Sequence, residues 1–153
     1  MKNEEKARAS SPVFASRLRP GGRRLPRKKL IAAAAEARER AVAPYSKFKV
    51  GAALLTRGGE IIPGANVESA SYGLTCCAER VALFKALTDG KRDFVAVAVV
   101  ARAPGGPMPC GACRQLLAEY APAAKVWVAD SRAPGRIREF TVRELLPSAF
   151  VIP

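Results

Sequence analysis

The sequence predicts an α/β fold, a three-layer α-β-α sandwich around a mixed five-stranded sheet. Helical and strand-like segments alternate along most of the chain. The run "DFVAVAVVA" at 93–101 is almost continuously apolar and largely β-branched, as in a strand buried on both faces. Only residues 131–137 separate the last two strand-like segments, whereas a parallel pairing needs a crossover of roughly a dozen residues. The last two strands are therefore predicted to be antiparallel.

Local signals define each element in turn. Helix-forming residues between Pro26 and Pro44 predict a first helix, and Arg57-Gly58-Gly59 is typical of a hairpin turn. An apolar pattern at helical spacing runs from Cys76 until Gly90 interrupts it. The predicted elements are a helix at 26–43, strands at 48–56 and 60–67, a helix at 76–87, a strand at 93–101, a helix at 110–121, strands at 125–130 and 138–142, and a helical turn at 143–147.

Charge is unevenly distributed along the 153 residues, whose net charge is +13. Residues 1–30 contain ten Lys or Arg and two Glu, a net of +8, and residues 31–153 carry the remaining +5. The sequence therefore predicts a basic, flexible N-terminal arm at 1–29 and one folded domain at 30–153. No apolar stretch reaches the roughly 20 residues of a transmembrane helix, and no secretory signal is visible, so a soluble cytoplasmic protein is expected.

The four cysteines and the absence of histidine direct attention to thiolate chemistry. Cys110 and Cys113 lie on one face at the start of a predicted helix, and Cys77 opens another helix. Helix N-termini lower thiol pKa values, so two such ends meeting would gather three thiolates around a divalent cation, for which zinc is expected. Three protein ligands leave a position for water, as in catalytic zinc sites, and Glu79 would handle that water's protons.

Other roles stay open at this point for the cysteines and for Arg80. "PCGAC" is also compatible with a redox pair, and Cys76 would convert the site into a closed structural one if it served as a fourth ligand. Cys76 is otherwise expected to be a small buried hydrophobic residue. Arg80 is predicted to hydrogen-bond a thiolate sulfur and withdraw part of its electron density.

The segments "PYSKFKVGAALL", "NVESASYGLTCCAER", "PCGACRQ" and "LLPSAF" occur in the order found in the cytidine deaminases. Over residues 30–150 the chain resembles this family of small homotetrameric enzymes, which use zinc and act on free nucleosides; the three-cysteine site with a non-ligand glutamate is the known signature of zinc deaminases. The resemblance implies a cytidine deaminase-like fold, a catalytic domain at 30–153 and a role in pyrimidine salvage. It also implies one Zn²⁺ per subunit held by Cys77, Cys110 and Cys113, with Glu79 as the proton shuttle and uridine as the product.

The same resemblance implies the residues that bind the substrate. Asn66 and Glu68 match the pair that binds the ribose hydroxyls, although Asn66 alone would be interpreted as a turn residue. Phe48 matches an aromatic residue near the base, although a core position on a strand is the alternative. The remaining substrate positions are Ala78 and three residues that would reach the substrate across a subunit interface of the homotetramer, Ala70, Tyr72 and Phe150.

Rival functions are a deaminase of a modified cytosine nucleoside such as blasticidin S, a deaminase of cytosine or adenine in nucleic acid, and a non-enzymatic zinc-stabilised module that binds nucleic acid. Asn66 and Glu68 favour an ordinary ribose or deoxyribose. The short link at 131–137 argues against the nucleic-acid deaminases, which generally insert a helix there. Because most of the excess charge lies in the arm, a nucleic-acid partner is not expected.

Overall fold

The computed structural model describes residues 25–152. The prediction of a flexible arm concerns 1–29, and residues 1–24 lie outside the described residues. Helix α1 (Arg27–Glu39) already includes the last three residues of the predicted arm. It ends four residues before the predicted end because Val42 pairs with a distant segment: its backbone N–H donates to the carbonyl of Asn66 at 2.9 Å.

The predicted order of elements is confirmed, with boundaries that shift by a few residues. The described elements are α1, β1 (Val50–Thr56), β2 (Ile61–Ala65), α2 (Ala78–Thr88), β3 (Phe94–Ala101), α3 (Gly111–Tyr120), β4 (Lys125–Asp130), β5 (Arg138–Thr141) and α4 (Val142–Leu145). No helix of residues 25–152 is long and apolar enough to span a membrane.

The five strands form one mixed sheet in the order β2-β1-β3-β4-β5. Strands β3 and β4 are parallel, and the other neighbouring pairs, including β4 with β5, are antiparallel. Side chains of α1 pack on one face of the sheet against Ala53, Leu55 and Trp127. Helices α2, α3 and α4 pack on the other face, where Val97, Val126 and their neighbours form the second core. The three-layer prediction is therefore confirmed.

Two glycines let helices approach the β1–β2 hairpin from opposite faces. A Cβ atom on Gly51 would lie 2.0 Å from the carbonyl oxygen of Ala34 in α1. A Cβ atom on Gly64 would lie 2.6 Å from the carbonyl oxygen of Ala78 and 2.4 Å from the backbone nitrogen of Ala82, both in α2. Since these obstacles are backbone atoms, only glycine permits the contacts. Gly64 thereby fixes the depth at which the first turns of α2 lie on the sheet.

Candidate active site

Three cysteine sulfurs converge where the N-termini of α2 and α3 meet. Cys77 and Cys110 are the residues immediately before these two helices, and Cys113 lies in the first turn of α3. All three sulfur atoms lie within 4.8 Å of one another, and the sulfurs of Cys77 and Cys110 are 3.7 Å apart. The elements thus bring together the three residues that the sequence predicted as metal ligands.

The cluster suits a zinc ion in its spacing and its donor chemistry. Tetrahedral zinc with Zn–S bonds of about 2.3 Å requires sulfurs about 3.8 Å apart, close to the 3.7 Å between Cys77 and Cys110. Within residues 25–152, no other cysteine, histidine or carboxylate joins the group. Cys76 therefore does not act as a fourth ligand here, and the convergence of a third thiol favours a metal site over a two-cysteine redox pair. An open three-ligand site is the kind that catalytic zinc uses.

The electrostatics of the cluster favour a thiolate at Cys77. A hydrogen bond from Cys113 is the largest influence that lowers the pKa of Cys77, to about 5, and contacts with Arg80 and Cys110 add to it. The pKa of Cys113 is raised far above its ordinary value because its proton is donated to Cys77. Arg80 places Nη2 3.8 Å from the Cys77 sulfur and 2.7 Å from the carbonyl oxygen of Thr75. Outside the cluster, Cys76 is half-buried, and burial raises the pKa of its thiol.

Glu79 provides a buried carboxyl group beside the thiols. It is the second residue of α2, and its side chain is almost completely shielded from solvent. Loss of solvation raises its pKa to about 7, and the negative charge of Cys77 adds to the shift. A carboxyl group that titrates near neutral pH is able both to accept and to release a proton during turnover.

A cleft of about 400 Å³ is lined by Tyr45, Ser46, Glu68, Ser69, Tyr72 and Thr75. Of the residues that the resemblance assigns to the substrate, Glu68 and Tyr72 line this cleft. The Glu68 carboxylate accepts hydrogen bonds from the backbone N–H groups of Tyr45 at 2.9 Å and Ser46 at 3.2 Å, and from the Ser46 hydroxyl.

The side chain of Asn66 makes hydrogen bonds to the backbone that the sequence did not predict. Its side chain is buried, and its Oδ1 accepts from the backbone N–H of Val50 at 2.8 Å. Its Nδ2 donates to the carbonyl of Phe48 at 3.0 Å. The Asn66 amide thus fixes the backbone at the start of β1.

The other predicted substrate residues differ widely in exposure. Ala78 is fully buried, with its carbonyl oxygen close to Gly64, whereas Ala70 is exposed. Phe48, Tyr72 and Phe150 are 43%, 83% and 71% exposed, so their aromatic rings are largely uncovered in the single subunit. The carbonyl of Phe150 accepts from Nε2 of Gln115 at 2.8 Å, which ties the C-terminal segment to α3.

Two residues of the site were missed by sequence reasoning. Arg114 follows Cys113 directly; its Nε donates to the carbonyl of Pro109 at 2.7 Å and its Nη1 to that of Leu145 at 3.1 Å. It therefore ties the residue before Cys110 to the end of α4. Ser46 bonds Glu68, and only its position within "PYSKF" could have drawn attention to it.

Comparison with known proteins agrees with this geometry. The model of the cytidine and deoxycytidylate deaminase zinc-binding region matches residues 26–129. The cytidine deaminase of Halalkalibacterium halodurans is 58% identical over 125 residues, covering 81% of this chain and 93% of that protein. The cytidine deaminase of Sporosarcina psychrophila is 52% identical over 123 residues, covering 80% and 89%. A crystal structure of cytidine deaminase from Burkholderia pseudomallei, 51% identical, matches with a TM-score of 0.76 over 80% of this chain and 97% of that one.

Proposed function

The chain belongs to the cytidine and deoxycytidylate deaminase family, and we propose that it hydrolyses cytidine and 2′-deoxycytidine to uridine and 2′-deoxyuridine. One water is consumed and one ammonia is released for each nucleoside. The observation that carries the proposal is the convergence of three thiols, within 4.8 Å of one another, beside the buried carboxyl of Glu79.

Each residue of the cluster has a defined task. Cys77, Cys110 and Cys113 hold the zinc ion, one per subunit. When bound, the ion supplies Lewis acidity that makes water nucleophilic near neutral pH. Glu79 accepts a proton from the attacking water and delivers it to N3 of the cytosine ring; it then takes the second proton from the new hydroxyl group at C4 and delivers it to the departing amino group. Its pKa of about 7 suits transfer in both directions.

Arg80 tunes the sulfur ligands in this proposal. Three thiolates donate much negative charge to a divalent ion and so oppose its Lewis acidity. The contact between Arg80 and the Cys77 sulfur, at 3.8 Å, supports a role in withdrawing part of that charge.

The nucleoside is held by residues on the β1–β2 side of the site. We assign the ribose hydroxyls to Glu68 and Asn66, and the base to Phe48 and Ala78. Two observations support this role for Glu68. It lines the cleft, and its carboxylate is ionised because hydrogen bonds, above all the one from Ser46, hold its pKa below the usual range.

A homotetramer with shared active sites completes the proposal. The exposed rings of Phe48, Tyr72 and Phe150 support it, because aromatic side chains uncovered in a single subunit are often buried in an interface. Ala70 and Tyr72 would then touch the substrate of a neighbouring subunit, as would Phe150. Sedimentation should give the mass of four chains, and a dissociated monomer should be inactive.

The cellular role proposed is pyrimidine salvage in the cytoplasm. The four cysteines are free thiols, and a three-thiolate metal site needs a reducing compartment to remain intact.

The test is the loss of ultraviolet absorbance when purified protein is mixed with cytidine, 2′-deoxycytidine, blasticidin S or a single-stranded oligonucleotide. Conversion of both nucleosides by the parent protein, and loss of conversion in Glu79→Gln with zinc still bound, would support the proposal. Activity confined to the oligonucleotide or to blasticidin S would assign the site to those rival deaminases. Salt-sensitive binding of nucleic acid without any turnover would favour a binding module.

A further inference from the structure

We infer that Ser46 is a positioning residue for sugar recognition, because its hydroxyl fixes the carboxylate of Glu68 and the backbone of Phe48 within one turn. The inference rests on the proposed nucleoside deaminase function and names a residue that sets its preference for hydroxyl-bearing sugars.

The geometry of the turn supports this role directly. The Ser46 hydroxyl donates to Oε1 of Glu68 and accepts from the backbone N–H of Phe48 at 3.0 Å. The other carboxylate oxygen, Oε2, receives the backbone N–H groups of Tyr45 and Ser46. Glu68 is therefore held at both oxygens, and its remaining lone pairs are oriented by the turn that carries Ser46.

The chemistry of a hydroxyl makes the role one of positioning. Ser46 has a single O–H proton, and that proton is already donated to Glu68, so Ser46 has none to offer a ligand. An ionised carboxylate accepts hydrogen bonds but donates none. A correctly oriented Glu68 thus favours sugars whose ring carries hydroxyl donors, and Ser46 controls that orientation.

Backbone strain supplies an independent reason why the turn needs these bonds. Lys47, between Ser46 and Phe48, has φ of 59°, a left-handed conformation that residues other than glycine seldom adopt. Side chains on both sides of Lys47 bond the backbone of the turn. Asn66 accepts from the N–H of Val50 and donates to the carbonyl of Phe48, and the Ser46 hydroxyl accepts from the N–H of Phe48. Removal of the Ser46 hydroxyl takes away the bond to Oε1 of Glu68 and the bond to the backbone N–H of Phe48, so the carboxylate keeps only its backbone partners at Oε2.

The experiment compares kcat/KM for cytidine with kcat/KM for 2′,3′-dideoxycytidine, which lacks both ring hydroxyls, in four proteins. The parent should prefer cytidine strongly. Ser46→Ala should reduce that preference about 10-fold, mainly by raising the KM for cytidine, because one hydrogen bond to a charged group is lost. Ser46→Thr, which restores a hydroxyl, should recover most of the preference. Ser131→Ala, a half-buried serine in the turn after β4, is the matched control and should behave as the parent does.

The outcomes separate a positioning role from a general structural one. If Ser46→Ala lowers kcat/KM equally for both nucleosides, or leaves the preference unchanged, the inference is wrong while the proposed function stands. A parent with no preference for cytidine over the dideoxy compound would also overturn it. A parent inactive on every nucleoside would overturn both the proposed function and this inference.

Discussion

Arg80 contacts the sulfur of Cys77 through Nη2 at 3.8 Å, while the same nitrogen donates to the carbonyl of Thr75 at 2.7 Å. The guanidinium charge is therefore held next to the thiol whose pKa is lowered to about 5. Replacement by glutamine keeps an N–H donor and removes the charge.

Arg80→Gln is expected to raise the pKa of Cys77 in the metal-free protein, because the thiolate loses its cationic partner. Thiolate absorbance in the ultraviolet, followed against pH, measures this change. Arg40→Gln is the control, since Arg40 is an exposed arginine paired with Glu36 on the surface of the protein. Identical titration curves for both variants would show that Arg80 does not stabilise the thiolate.

Stability of the metal-free protein should depend on pH in a characteristic way. The pKa of Cys77 is lowered from 9.0 to about 5, so its stabilising contribution is present above the higher value and is lost as the pH falls through the lower one. The pKa of Glu79 is raised from 4.5 to about 7, so its contribution is present below the lower value and is lost as the pH rises through the higher one.

Between about pH 5 and 7 these two contributions oppose each other, and between about 7 and 9 only that of Cys77 changes. In the folded protein Cys113 stays protonated over this range because its pKa is raised, and in the unfolded chain its thiol ionises only as the pH approaches the ordinary value of 9.0. The free energy of unfolding should therefore rise above about pH 7 and level off as the pH approaches 9.0, where the raised pKa values of Cys113 and Cys76 begin to oppose the contribution of Cys77. Urea denaturation at a series of pH values tests this, and in Glu79→Gln the rise should begin near the Cys77 pKa. A fall in stability just above neutral pH, before the thiols of the unfolded chain begin to ionise, would contradict the assignment.

Gly64→Ala should destabilise the protein by about 3 kcal/mol, because the new methyl group meets backbone atoms of α2 and has no space to move into. The displacement of α2 should also weaken zinc binding, since Cys77 immediately precedes that helix. Denaturation midpoints and the zinc content after exposure to a chelator measure the two effects. Gly58→Ala is the control, because its nearest neighbour would be 3.8 Å away. Equal effects of the two substitutions would refute the close approach.

Asn66→Ala should lower the free energy of unfolding by about 2 kcal/mol, because the backbone groups of Phe48 and Val50 lose their partner. Gln115→Ala removes another side-chain amide, one with more exposed partners, and should cost less than about 1 kcal/mol. Chemical denaturation of both variants provides the comparison. A stability equal to that of the parent in Asn66→Ala would show that the amide is dispensable for the fold.

Local signals explain why so much of the architecture was predictable. Apolar spacing and the glycines at 58–59 and 90 mark elements within a few residues of where they occur, and the short link before β5 decides its direction. The end of α1 was misplaced because its last predicted turn consists of good helix formers. The pairing of Val42 with Asn66, a contact across the chain, overrides that preference.

The cysteine spacing predicted the metal cluster because two of the ligands share one helical turn. The surroundings of the cluster depend on contacts between distant segments. Glu68 is bonded by Ser46, 22 residues away, and Asn66 reaches back 16 residues to Val50. No periodic pattern marks such pairs, and nothing in "YSKF" signals the left-handed conformation of Lys47.

A larger residue at Gly51 or Gly64 of the β1–β2 hairpin cannot be compensated by a second substitution in the facing helix. A bulky replacement in a core is often compensated when an opposing side chain becomes smaller, but the atoms opposite these glycines are main-chain atoms that every amino acid carries. A genetic screen for suppressors of a Gly64 substitution should consequently recover reversion at that codon and no trimmed partner in α2.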